Sequence, residues 1–138
     1  MRKPTLSDYP LCETNPDNIC GPRGITLDKI TLDAVIAGDI EIEDLRISRK
    51  ALLAQSDIAL AAGRKTLALN FQRGAKLINV PQDLIMQTYE MLRPGRINSR
   101  AALTAQAELF RKDYGAHMIA DFIDRAADIY HQRGLLDK

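Results

Sequence analysis

Arg93 and Arg96 flank a Pro94-Gly95 corner in the stretch "YEMLRPGRINS", where one helical pattern ends and the next begins. Two guanidinium forks at that spacing could hold a phosphate, read a nucleic-acid backbone, or bind carboxylates and carbonyls of another protein. The other candidates for chemistry fail on spacing. His117 and His131 fall within about 40° of each other around a helix but ~21 Å apart along it, at ~1.5 Å per residue, so they share no metal. Asp39, Glu41 and Glu43 imitate the first ligands of a calcium loop, yet Asp44 stands where its turn glycine belongs and Lys50 where its closing glutamate belongs. Gly63-Arg64-Lys65-Thr66 has the ending of a phosphate loop, but Ile58 stands where the upstream glycine is required. No GxSxG, HExxH or GxGxxG occurs. No catalytic, cofactor-binding or metal-binding residue is therefore expected in this chain.

The elements that must position these residues are helical. Ser48 is a natural N-cap for a helix running to Ala62, with Ala51, Leu52, Gln55, Ile58 and Ala59 near one face and Gly63 as the stop. A second runs from Arg64 to Ile78 and repeats Leu67, Phe71, Ala75 and Ile78 at helical spacing. Pro81 suits the first turn of a third, ending at Leu92 with Leu84, Ile85, Thr88 and Tyr89 in register. Ser99 caps a fourth that closes at Gly115, with Leu103, Ala107, Phe110 and Tyr114 aligned. The last, Ala116 to Arg133, aligns Ile119, Phe122, Ile123, Ala126 and Tyr130 before Gly134.

Upstream the signals weaken. Residues 1–24 hold four of the six prolines and show no period, so they read as an extended arm. That arm carries Leu6, Tyr9, Leu11 and Ile19, more apolar material than a solvated tail needs, so it should lie on its own domain or on a partner. Thr31 caps a short helix from Leu32 to Ala37 that Gly38 stops. "DIEIEDL", from Asp39 to Leu45, alternates apolar and acidic residues and suggests a short extended piece. The expected fold is all-α: about five amphipathic helices in a compact bundle with an irregular N-terminal arm. Its divisions are residues 1–24 (arm), 25–47 (short helix and irregular segment) and 48–138 (helical domain), forming one globular unit.

At 138 residues and 46% apolar content the chain can bury a moderate core. With 5% aromatics and no Trp, that core is mostly Leu, Ile and Ala. The net charge of +1 is unevenly spread: residues 25–62 carry four basic and seven acidic groups, residues 63–100 seven basic and two acidic. The basic stretch suits a polyanion, an acidic protein face, or simply a solvated helix surface. Cys12 and Cys20, outside any CxxC, read as free thiols in a reducing compartment. The N-terminus lacks an apolar signal region and no run approaches the ~20 apolar residues of a membrane span, so the expectation is a cytoplasmic protein without a membrane partner.

Two helices meeting at Gly63, the second bearing Arg64, Lys65, Arg73 and Lys76, have the outline of a helix-turn-helix. Against nucleic acid stand Leu67, Leu69, Phe71, Leu77 and Ile78 on that same helix, its length, and the near-zero total charge. From pattern alone a protein-interaction subunit is the stronger reading, with a helix-turn-helix nucleic-acid binder as the alternative.

An ordered set of motifs narrows this further: "SDYPL" at Ser7–Leu11, "TLDKITLDAVIAG" at Thr26–Gly38, "EDLRIS" at Glu43–Ser48, "AGR" with "LALNFQR" across Ala62–Arg73, "VP" at Val80–Pro81, "YEMLRP" with Arg96, and the C-terminal "YGAHMIADFIDRAADIYHQR". Together they resemble the small (γ) subunit of adenosylcobalamin-dependent glycerol and diol dehydratases, over nearly the whole chain. The sequence departs from that pattern at the corner, where Gly95 replaces an aromatic and Ile97-Asn98 intervene before Ser99, and at Lys76, which replaces an acid.

The resemblance implies an α₂β₂γ₂ assembly with large (alpha) and medium (beta) subunits and no nucleic acid. The large subunit would hold substrate and potassium in a TIM barrel, with adenosylcobalamin between the large and medium subunits. The small subunit would pack outside the radical chemistry that converts glycerol to 3-hydroxypropionaldehyde or propane-1,2-diol to propionaldehyde. Only six residues precede "SDYPL", which leans toward glycerol. The resemblance leaves the enzyme free in the cytoplasm or housed in a bacterial microcompartment. On this reading Arg93 and Arg96 are interface or corner residues; Arg46, Arg64, Asn70 and Arg73 are further interface candidates, and Tyr9 anchors the arm.

Overall fold

The computed structural model describes residues 2–136. It is all-α: α1 (Leu11–Thr14), α2 (Leu32–Ala37), α3 (Arg49–Ala61), α4 (Lys65–Leu77), α5 (Gln82–Leu92), α6 (Arg100–Tyr114) and α7 (His117–Gln132). Single 3-10 turns lie at Leu6–Asp8, Pro16–Asn18, Leu27–Lys29 and Ile42–Leu45. The five long helices are those expected, each within a residue or two of its expected limits. The chain divides into two compact units, Met1–Ala75 and Lys76–Lys138, and the division falls inside α4.

Local side-chain chemistry sets the helix starts in both units. Thr31, Ser48 and Ser99 each accept a hydrogen bond from the backbone N–H three residues on, at 3.2, 3.1 and 3.2 Å. The stop of α3 satisfies two orphan carbonyls: Gly63 N–H donates to Leu60 O at 2.9 Å and Arg64 N–H to Ala59 O at 2.8 Å.

In the first unit, α3 and α4 form a hairpin joined by a buried polar link. Ser56 Oγ donates to Ala68 O at 3.1 Å and accepts from Gln72 Nε2 at 3.0 Å. The arm is less irregular than the extended arm expected. It winds through three short helical turns, and the Leu6–Asp8 turn lies against α3. Asp8 makes that turn, its carboxylate accepting from Thr5 N–H at 2.6 Å and from Thr5 Oγ1 at 2.8 Å. The "DIEIEDL" segment is a second correction: Ile42–Leu45 is a 3-10 turn, not an extended piece. Asp44 draws it closed by accepting from Glu41 N–H at 2.9 Å.

In the second unit, α6 and α7 pack as an antiparallel hairpin around Leu103, Phe110 and Ile123, all at most 1% exposed. Ala107, Ala120 and Ala127 are buried along the same seam, small enough for the two backbones to approach closely. Arg111 straps the hairpin from outside, reaching Asp121 at 3.0 Å and Asp124 at 2.8 Å, and it also pairs with Glu108; Arg100 pairs with Asp128. These carboxylates raise the Arg111 pKa further above its already high value, Asp124 most. Helix α5 joins through Thr88, whose Oγ1 donates to Leu84 O at 2.7 Å and accepts from Gln106 Nε2 at 2.6 Å. Tyr89 and Phe122, expected on core faces, are 58% and 46% exposed.

Candidate functional site

The structure sorts the seven expected interface residues into three places. Tyr9 and Arg46 line one groove in the first unit. Arg64 and Asn70 line a shallow depression at the start of α4, and Arg73 Nη1 donates to Asn70 Oδ1 at 2.9 Å. In the second unit, Arg93 and Arg96 both turn to the carboxylate of Glu90, at 3.0 and 3.9 Å.

The Arg93–Arg96 corner is a tight turn. Arg96 N–H donates to Arg93 O at 3.1 Å, with Pro94 setting its first central position and Gly95 at φ +78° its second. Tyr130 of α7 pins the corner, its hydroxyl donating to Leu92 O at 2.5 Å. Removing that hydroxyl with Tyr130→Phe is expected to cost about 1 kcal/mol, read as a shift of the urea midpoint at unchanged slope. An unchanged midpoint would deny the bond any role. Both arginines remain exposed beyond Glu90. Within this unit they are helix-end residues with guanidinium hydrogens still turned to solvent.

The groove in the first unit is larger, about 1120 Å³, and lies beside the arm and the start of α3. Tyr9, Leu27, Leu45, Ile47 and Leu53 line it and are all partly open to solvent. Its wall is locked by an ion pair that the sequence did not disclose. The Gly21–Gly24 turn, closed by Gly24 N–H to Gly21 O at 2.9 Å, presents Arg23 to Asp44, whose side chain is fully buried. Arg23 grips that carboxylate with two hydrogen bonds, the Nε–Oδ1 one at 2.8 Å, and also reaches Glu41 at 3.1 Å. The Arg23 guanidinium holds the Asp44 carboxyl below the ordinary carboxylate range; burial opposes this, and the Glu41 N–H adds to it. A turn motif, Gly-Pro-Arg-Gly, was the one signal available for this lock.

The thiols of Cys12 and Cys20 are free. His117 and His131 are exposed, near opposite ends of α7. Among the described residues no group of three or more His, Cys, Asp or Glu side chains is placed to hold a metal ion; the three carboxylates that gather around Arg111 are paired with its guanidinium. No helix among them is long and apolar enough to cross a membrane.

The candidate features are thus an apolar groove beside the arm, a shallow depression at the start of α4 and an arginine corner at the end of α5. Residues 5–137 match the family described as "Dehydratase small subunit". The chain is 38% identical over 132 residues to the propanediol dehydratase small subunit of Salmonella typhimurium, covering 96% of this chain and 76% of that protein. It is also 38% identical over 128 residues to the propanediol dehydratase small subunit of Citrobacter freundii, covering 93% and 74%. Motif order, all-helical fold and a match over nearly the full length agree: the chain belongs to the dehydratase small-subunit family.

Proposed function

We propose that this chain is the non-catalytic small subunit of an adenosylcobalamin-dependent dehydratase acting on propane-1,2-diol or glycerol. It serves assembly of an α₂β₂γ₂ complex with the large and medium subunits. The observation that carries the reading is the continuous match over residues 5–137. Both relatives named above are propanediol dehydratase small subunits, which favours a vicinal diol as substrate; glycerol presents the same vicinal hydroxyls. Adenosylcobalamin and potassium belong to the other subunits on this reading, where the cobalamin would supply the radical chemistry and the cation would sit with the substrate. This chain offers surface. Tyr9, Arg46, Arg64, Asn70, Arg73, Arg93 and Arg96 are its proposed contact residues.

The test is co-expression of the tagged chain with the large and medium subunits, followed by pull-down and assay of aldehyde formation with adenosylcobalamin and each diol. Co-elution is expected, with activity that disappears when this chain is omitted. Tyr9 is the strongest single anchor, and Tyr9→Ala is expected to weaken association by about 2 kcal/mol or more, roughly 30-fold. A folded, monodisperse chain that elutes alone would sink the reading. If Tyr9→Ala and Arg93→Ala both left assembly unchanged, the proposed contact residues would be wrong.

A further inference from the structure

The groove beside the arm gathers apolar side chains that the first unit leaves half open. Tyr9 is 61% exposed, Leu45 58%, Ile47 54%, Leu27 42% and Leu53 39%, and all five line this one cleft. Around it stand cations. Arg2 pairs with Asp8 and Arg46 with Glu43, while Lys3, Arg49 and Lys50 have no ion pair among the described residues. Of the acids in the lining, Asp44 is already neutralised by Arg23, which leaves Asp57. Arg49 and Lys50 also occupy the first turn of α3, which holds no acidic residue. Cations there oppose the helix dipole, a local cost that nearby carboxylates offset. A cleft of about 1120 Å³, open on one side, exceeds the roughly 300–1,000 Å³ of small-molecule pockets and suits a stretch of polypeptide.

We propose that this groove seats an acidic, apolar segment of a partner dehydratase subunit. Its apolar side chains fill the cleft over Ile47 and Leu53, and its carboxylates meet Lys3, Arg49 and Lys50. The assignment rests on the small-subunit reading above and adds which surface docks and what chemistry it selects. An apolar floor ringed by cations discriminates for such a segment and against a basic one. A nucleic-acid backbone would meet the cations but leave the apolar floor unfilled.

The test titrates the full-length chain into the purified large–medium subunit pair by calorimetry, comparing wild type with the double variant Arg49→Glu/Lys50→Glu. Both positions are exposed, and circular dichroism with the thermal midpoint separates loss of binding from loss of fold. Association is expected to weaken by at least about 10-fold at low salt, with the gap narrowing as salt rises. Zero-length carbodiimide coupling of the wild-type complex gives a second readout that needs no variant. It should join Lys3 or Lys50 to an Asp or Glu of the partner as an amide.

Equal binding of wild type and double variant would overturn the groove assignment and leave the subunit reading standing. So would amide links found only at other lysines. A wild type that fails to bind the subunit pair would overturn the subunit reading itself. Variant-sensitive binding of duplex DNA in the same titration would replace the acidic protein segment with a nucleic acid.

Discussion

Replacing Phe110 with alanine is expected to destabilise the second unit by about 3–5 kcal/mol. Phe110 is 1% exposed and sits in the cluster with Leu103, Ala107 and Ile123. Truncation removes most of a large buried side chain, and the surrounding helices collapse only partly into the space because α6 and α7 are strapped together by Arg111 and Arg100. A unit of this size has a total stability on the order of 3–9 kcal/mol, so the loss consumes much of it. Urea unfolding of the full chain, followed by circular dichroism, should show an early transition that the wild type lacks. The comparison is Met86→Ala, at a position 52% exposed, which should change little. A loss below about 1 kcal/mol for Phe110→Ala would contradict the assigned core.

Gly21→Ala is expected to break the lock of the first unit. A Cβ at Gly21 would lie 2.5 Å from Asp44 O and 3.2 Å from Asp44 Cα, so the Gly21–Gly24 turn and the Ile42–Leu45 turn must separate. Separation pulls Arg23 from the buried Asp44 carboxylate, and breaking a buried pair on one side strands the other charge. Arg23→Ala reaches the same end without the steric clash. Either variant should lower the thermal midpoint of the first unit by an amount on the order of 10 °C. An unchanged midpoint in both would show that the pair does not hold the turns together.

The pH dependence has a definite sign. The folded Asp44 carboxyl lies below its unfolded value, chiefly through its hydrogen bonds from Arg23. Its contribution is therefore fully present above about pH 4, the unfolded range, and is lost as pH falls toward the folded value. In Arg23→Ala that contribution is missing, so acid unfolding followed by circular dichroism should begin at higher pH than in the wild type. Gly21 and Asp44 also line the groove, so the same variants should weaken association with the partner subunits.

Short-range features were legible from residue order. The caps Thr31, Ser48 and Ser99 and the stops Gly38, Gly63, Gly115 and Gly134 stand where the pattern put them, because each is a bond between neighbours in sequence. The all-α class followed from five helical periods, and family membership from an ordered set of motifs. Long-range pairings were not legible. "DIEIEDL" alternates like a strand, but Arg23 draws Asp44 inward across 21 residues, and the segment closes as a 3-10 turn with Ile42 and Leu45 outside. Arg93 and Arg96, read as interface or corner residues, both reach Glu90 at the end of their own helix. The apolar arm residues likewise gave no hint that Tyr9 and Ile19 would line one cleft with Leu45, Ile47 and Leu53. The helices and their ends could be read from residue order, since hydrogen bonds over three or four residues depend on adjacent residue types. The buried Arg23–Asp44 pair and the groove emerged in the folded chain alone, since they depend on which distant segments the fold brings within a few ångströms.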